Sequence, residues 1–377
     1  MIVIDEYILD GIDLFHCFTS LAYLATNHRT SLPSTFYSQV NNKLFAGRSV
    51  KSFILQVTMS PITNTWKQFR NAEQVELSSR YLLTMTLPRL EANESNGPGT
   101  SWDEDFIRVS FNDIETWTDF TETNLNQAFG RVLGSALPWS GSIEDAFKRL
   151  DTPRPIESEN DLDQMFLEGI APILRHSLRC SRDLLCKALG EGFVSRIQIP
   201  QDKEAVKISL PQYNNDPKRL KRPNFPIYAP AGSVTGMPPT QNAIFVIGES
   251  ARLAVFDPAC FDNSGAYQRR GWIHVSKLAM YCKYSGTCLA FTITSKGVTV
   301  FRFFQIPNGD GTSRMGLQQI FAPWIPTCFP GNVPQGQDNQ LSGAKAIWGL
   351  LMASLTLEGR RLATRSELRP ISEWSRL

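Results

Sequence analysis

Residues 242–252 read NAIFVIGESAR, and this stretch decides how the rest of the chain is interpreted. Five apolar residues, Ala243 to Ile247, end at Gly248, and Glu249 follows at once. A short, continuous apolar run that ends at a glycine is typical of a strand buried on both faces. The predicted strand thus ends at a single acid, Glu249, and the next cation, Arg252, comes three residues later.

The pattern around this strand predicts an α/β protein. Ser158 with Asp161 three places on resembles a capping box and predicts the start of a helix. After residue 158 we expect a mixed sheet flanked by helices. The predicted elements are a helix from 158, a strand over 193–199, a short strand after the basic segment 216–222, a strand over 243–249, a helix over 272–284, a hairpin over 288–304 that turns at 295–297, and an apolar helix over 344–357.

The length and the turn-rich segments predict two regions. The chain has 377 residues and is 42% apolar, which allows a sizeable core. Polar and proline-containing clusters at 91–102, 138–142 and 151–155 interrupt the pattern. We therefore place a boundary near residue 150, with an α+β extension of unknown role over 1–150 and the main domain over 151–377.

Composition excludes several classes of protein. The net charge is +2, so a polyanionic partner would need a local basic cluster. The seven cysteines form no CxxC pair, which indicates free thiols rather than a metal ribbon or a disulfide framework. The first residues are acidic where a signal peptide would be basic, and apolar runs are too short to span a membrane. We expect a cytoplasmic or nuclear protein with no membrane contact.

Glu249 suggests a metal-dependent phosphodiesterase site. Such a site needs carboxylates to hold Mg²⁺ or Mn²⁺ beside the phosphate, and it benefits from a lysine. An acid and a lysine two residues apart on one strand share a face. In one economical layout the lysine would therefore stand at position 251, which is alanine here.

Five motifs in order resemble the PD-(D/E)XK nuclease-like superfamily, in particular a large group of fungal proteins with a restriction-endonuclease-like fold. They cover a little over half the chain and read SENDLDQMF (158–166), KRPNF (221–225), GESAR (248–252), MYCKYSGTCLAFTITSKGVTVFRF (280–303) and GAKAIWGLLMASL (343–355). The resemblance implies a metal-binding catalytic centre made from the first helix, the KRPNF segment and the GESAR strand.

The chain departs from the pattern of that group at two positions. Asn224 stands where the group has aspartate, and Ala251 stands where it has lysine. Glu249 keeps its type, and Glu159 matches the acidic position of the first helix. Asn224 and Glu249 are the candidate metal ligands, and Arg252 takes the lysine's role only if a bulge turns it back to that face.

Three functions remain open at this point. The first is a catalytically impaired nuclease-like protein that binds nucleic acid or a protein partner. The second is an active nuclease that uses Mg²⁺ or Mn²⁺ with Glu249, Glu159, Asn224 and Arg252. The third is an interaction protein, such as a fungal effector or a conflict-system component, in which the fold is only a scaffold.

A basic run precedes the KRPNF segment and is the candidate contact to DNA or RNA. Four cations in five residues suit a phosphate backbone or an import signal, and a solvated loop is the simpler alternative. The run consists of Lys218, Arg219, Lys221 and Arg222. Glu168 falls on the far polar face of the first helix, where we expect a solvated charge. His176 and His274 are isolated in the sequence, and we expect them to be satisfied or exposed histidines.

Overall fold

The computed structural model describes residues 77–79, 83, 88, 90–92, 101–137, 140–189, 196–202, 206–208, 210, 220–234, 241–261, 269–324 and 341–374. All of them fall in one compact unit. The strands are β1 Leu77–Ser78, β2 Leu90–Ala92, β3 Val109–Thr116, β4 Ala136–Leu137, β5 Arg154–Ile156, β6 Ile227–Ala229, β7 Ala243–Ser250, β8 Leu289–Ile293, β9 Gly297–Pro307 and β10 Ser313–Pro323.

Seven α-helices and several shorter turns surround the strands in the described part of the chain. The helices are α1 Glu122–Leu133, α2 Gly141–Asp151, α3 Glu159–Met165, α4 Ala171–Leu189, α5 Arg269–Ser285, α6 Gly343–Ser354 and α7 Leu357–Arg360. None of the helices in the described ranges is long and apolar enough to cross a bilayer.

Six strands form one mixed sheet in the order β3-β10-β9-β8-β7-β6. The pairs β6/β7, β8/β9 and β9/β10 are antiparallel, whereas β7/β8 and β3/β10 are parallel. The expected mixed sheet flanked by helices is therefore confirmed. The edge strand β3 comes before position 150, so residues on both sides of that position contribute to this sheet; the domain boundary itself stays a prediction.

Helices cover both faces of the sheet. Helix α5 connects the parallel strands β7 and β8 and packs in one core cluster with Phe301 and Phe303 of β9. On the opposite face α6 begins so close to β9 that a Cβ at Gly343 would lie 3.0 Å from Val298 Cγ2. Because side chains alternate along a strand, β9 is buried on both faces over most of its length.

The first predicted helix contains an irregular turn. The residues Phe166–Ile170 adopt a π-helical turn between α3 and α4. At the start of α3, Asp161 accepts a hydrogen bond from the backbone N–H of Ser158, as the capping-box pattern predicts. π-Helical turns such as Phe166–Ile170 occur frequently near functional sites.

Three of the other predicted elements have clear outcomes. The hairpin, the helix over 272–284 and the apolar helix near the chain's end are present as β8 with β9, α5 and α6. The strand predicted over 193–199 lies partly outside the described residues. In its described part, Gln198 forms only an isolated bridge to Tyr228.

Candidate functional site around Glu249

Glu249 lies near the end of β7 and its side chain is only 1% exposed. The preceding residue must be glycine, because a Cβ at position 248 would lie 2.3 Å from the ring of Phe291 and 2.8 Å from Phe225 Cβ. Phe225 and Gly248 exchange both backbone hydrogen bonds, at 2.9 and 3.1 Å. This pairing places Asn224 beside Glu249.

The backbone N–H of Asn224 donates to Glu249 Oε1 at 3.2 Å. The side-chain amide of Asn224 is used elsewhere, since Nδ2 donates to Ser250 Oγ at 3.0 Å and to Asp163 Oδ1 at 3.2 Å. Ser250 Oγ in turn donates to Asp163 Oδ1 at 2.5 Å. Asn224, Ser250 and Asp163 therefore form one hydrogen-bond network next to Glu249.

A lysine from α5 completes the site. Lys277 Nζ lies 2.8 Å from Glu249 Oε2, and its side chain is 25% exposed. The Lys277 ammonium also lies 5.6 Å from the centre of the Tyr281 ring, one helical turn further on. Tyr281 Oη donates to the carbonyl oxygen of Arg222 at 3.2 Å, which ties α5 to the segment that carries Asn224.

Burial raises the pKa of Glu249, and the attraction of Lys277 and the hydrogen bond from the Asn224 N–H oppose this rise. The negative charge of Glu159, in the first turn of α3, raises the pKa of Glu249 further. Glu159 is thus close enough to Glu249 to act on it electrostatically. The structure joins Asn224 to Glu249 by a hydrogen bond and places Glu159 where its charge acts on Glu249; their assignment to one metal site stays a prediction.

Positions 251 and 252 offer no cation on the strand itself. Ala251 is completely buried in the apolar cluster that includes Val275 and Leu278 of α5, so this position has no room for a lysine. Strand β7 ends at Ser250, and Arg252 lies beyond it at the start of a turn. The carbonyl oxygen of Arg252 accepts hydrogen bonds from the backbone N–H groups of Val255 and Phe256. The cation beside Glu249 is Lys277.

The candidate nucleic-acid contact is described only in part, because Lys218 and Arg219 lie outside the described residues. Lys221 Nζ binds two carboxylates, Asp103 Oδ2 at 2.7 Å and Asp105 Oδ2 at 3.0 Å. Arg222 is exposed. Lys221 is therefore already neutralised by the chain itself.

The isolated polar residues make structural contacts. Glu168 binds Arg149 and Arg154 at 2.7 and 3.4 Å. His176 Nδ1 lies 3.0 Å from an Arg179 guanidinium nitrogen. His274 is completely buried in α5, with Nε2 2.9 Å from Thr292 Oγ1, and burial together with the nearby Lys277 charge lowers its pKa to about 3.

This arrangement suits metal binding poorly. Within the described ranges, no group of three or more His, Cys, Asp or Glu side chains is arranged to hold a metal ion. The two buried acids, Asp163 and Glu249, already accept hydrogen bonds from serine, amide and ammonium groups. A divalent ion would have to displace these donors to gain its oxygen ligands.

Sequence reasoning missed two residues of this site, Asp163 and Lys277. Asp163 lies four residues after Glu159, so the two acids share one side of α3. That spacing is a usable signal. Lys277 has no comparable signal, because its approach to Glu249 depends on how α5 packs against β7.

No family model, curated protein or solved structure matches this chain.

Proposed function

We propose that this chain is a non-catalytic member of the PD-(D/E)XK nuclease-like superfamily that binds nucleic acid without cleaving it. The observation that carries the proposal is the ammonium of Lys277, 2.8 Å from the carboxylate of the buried Glu249. It occupies the side of Glu249 where a divalent cation would otherwise neutralise the charge. The site is neutralised by an internal ion pair instead of a metal.

The order of elements supports a restriction-endonuclease-like fold for the described unit. The helix with Glu159 comes first, and the Asn224 segment, the Glu249 strand, a crossover helix and a hairpin follow in one mixed sheet. The hydrogen bond between the Asn224 N–H and Glu249, and the effect of the Glu159 charge on Glu249, support placing these three motif positions in one site. A fold alone does not imply an activity, so the function rests on the site.

The metal response provides the main test. We expect no cleavage of plasmid DNA or RNA above background with Mg²⁺ or Mn²⁺. We also expect only a small rise in melting temperature, since a metal at a concentration equal to its Kd stabilises by about 0.4 kcal/mol. Glu249→Ala serves as the control in both assays. Cleavage by the wild type that is lost in this variant would contradict the non-catalytic proposal.

An active nuclease is the second candidate, and one observation favours it. Lys277 supplies the cation that position 251 lacks, beside the buried Glu249 and close to the buried Asp163. In that case Lys277 would orient a water or offset charge on the phosphate. Metal-dependent cleavage lost in both Lys277→Met and Glu249→Gln would establish this candidate. The third candidate, an interaction protein with the fold as scaffold, predicts neither cleavage nor nucleic-acid binding.

Asn224→Asp tests whether positions 163, 224 and 249 form one site. The variant adds a carboxylate beside Asp163 and Glu249, and like charges at this distance raise each other's pKa. Without metal we expect a loss of about 1–3 kcal/mol in the free energy of unfolding. Mn²⁺ should restore part of this loss, as measured by melting curves.

Asn112→Asp, an exposed substitution on β3, is the matched control. It should change neither the free energy of unfolding without metal nor the response of the melting temperature to Mn²⁺. If Asn224→Asp shows no larger Mn²⁺ response than the wild type, these three positions do not make a metal site and the motif assignment is wrong.

A further inference from the structure

Three arginines share one face of α4, away from the Glu249 site. Arg175, Arg179 and Arg182 follow the spacing i, i+4 and i+7, which places them within a narrow arc of an α-helix. With about 1.5 Å of rise per residue, they span about 10 Å along the helix axis. Arg179 and Arg182 are exposed, and Arg175 is half-buried. We call these three residues the α4 arginine stripe.

The stripe has little compensation by acids. No ion pair within the described part of the chain joins any of the three arginines to a carboxylate, although Asp183 lies four residues after Arg179. Arg179 contacts the imidazole of His176, which is a neutral acceptor or a second cation but never an anion.

Arg175 is the most unusual member of the stripe. One terminal nitrogen of its guanidinium, Nη1, is buried and has no hydrogen-bond partner. Burial also lowers the pKa of Arg175. A buried guanidinium nitrogen that lacks an acceptor is costly, so Arg175 keeps donor capacity that the chain itself does not use.

The chemistry of the stripe fits phosphates better than a protein surface. Arginine's planar fork matches the oxygen atoms of a phosphate, and backbone contacts to nucleic acid need cations but no apolar anchor. Protein interfaces depend on buried apolar or aromatic anchors. The exposed apolar residue of α4, Leu184, lies about half a turn away from the stripe.

We propose that the α4 arginine stripe binds the phosphate backbone of a nucleic acid. This inference rests on the proposed function and assigns its contact surface to α4, in addition to the basic run 218–222. Arg175, Arg179 and Arg182 each contact phosphate oxygens, so binding is insensitive to base sequence and strongly dependent on salt.

The test measures the salt dependence of binding with oligonucleotides of about 20 nucleotides, single-stranded and duplex, as DNA and as RNA. The full-length triple variant R175Q/R179Q/R182Q should bind at least about tenfold more weakly at low salt. Its log–log salt slope should be smaller by about 2–3 units, since each phosphate contact contributes about 0.7–0.9. The double variant R179Q/R182Q changes only exposed residues and should lose about 1.5 units of slope without an effect on folding.

The matched control R131Q/K187Q/K283Q removes three exposed cations that lie off the stripe. It should retain most of the wild-type slope.

Wild-type binding with an unchanged slope in the stripe variants would overturn this inference and leave the proposed function standing. Wild-type binding to polyglutamate but to none of the oligonucleotides would overturn it in favour of an acidic protein partner, and no binding to any probe would overturn it outright. Metal-dependent cleavage, in contrast, would overturn only the non-catalytic part of the proposed function.

Discussion

Lys277→Met should lower the free energy of unfolding by about 3–5 kcal/mol at pH 7, because it leaves a buried carboxylate without its cation. Glu249 is 1% exposed and cannot turn toward water. Its pKa is already raised by burial and by Glu159, so the loss of Lys277 removes the main opposing charge. Urea denaturation followed by tryptophan fluorescence measures the change.

Two further variants separate the ion pair from the packing of α5. Glu249→Gln leaves Lys277 without its carboxylate, but the Lys277 side chain is 25% exposed and reaches solvent. The free energy of unfolding should therefore fall by only about 1 kcal/mol. The double variant K277M/E249Q contains no unpaired charge and should lie within about 1 kcal/mol of the wild type. Lys283→Met, exposed on the same helix, should be neutral. If K277M and K277M/E249Q were equally unstable, the ion pair would not be the cause.

His274 should make the protein less stable as the pH falls from 7 to 5. Its pKa in the folded state is lowered to about 3 from an ordinary value of 6.5. At pH 7 the imidazole is neutral in the folded chain and mostly neutral in the unfolded chain, so this group contributes little to the pH dependence there. Below pH 6.5 only the unfolded chain takes up the proton, and the free energy of unfolding falls by about 2 kcal/mol at pH 5.

His274→Gln removes this titration and keeps a polar side chain near Thr292. Carboxylates also titrate in acid, but they are the same in both proteins, so the difference between wild type and variant isolates His274. The wild type should lose about 2 kcal/mol more of its free energy of unfolding than His274→Gln does between pH 7 and pH 5. Equal pH dependence in the two proteins would show that His274 takes up its proton in the folded state.

The parts of the fold that the sequence predicts are those with a local signal. The apolar run of β7, the hairpin of β8 and β9 and the apolar helix α6 each have a pattern within about 20 residues. The pairing of β3 with β10 has no such signal, because Val109 and Met315 meet only through the tertiary fold.

The same division applies to the site. The sequence singles out Glu249 and Asn224, which are hydrogen-bonded to each other, and Glu159, whose charge acts on Glu249; that they form one nuclease-like site stays a proposal. Lys277 and Asp163 reach the site because α5 and α3 pack against β7 in a particular register, which side-chain packing decides and which a linear pattern does not reveal. Lys277 is the cation beside Glu249, a role that the sequence allowed Arg252 only through a bulge.

The edge position of β3 has a consequence for the synthesis of the chain. Its partner β10 lies about 200 residues later, and a ribosome needs about 10–40 s to make a segment of that length. During this interval β3 lacks its strand partner β10, and contacts between such distant segments form slowly even in a complete chain. The nascent protein therefore exposes an unpaired strand, with Phe111 49% exposed in the finished fold as well, and such a strand edge is prone to pair with another chain until β10 has been made.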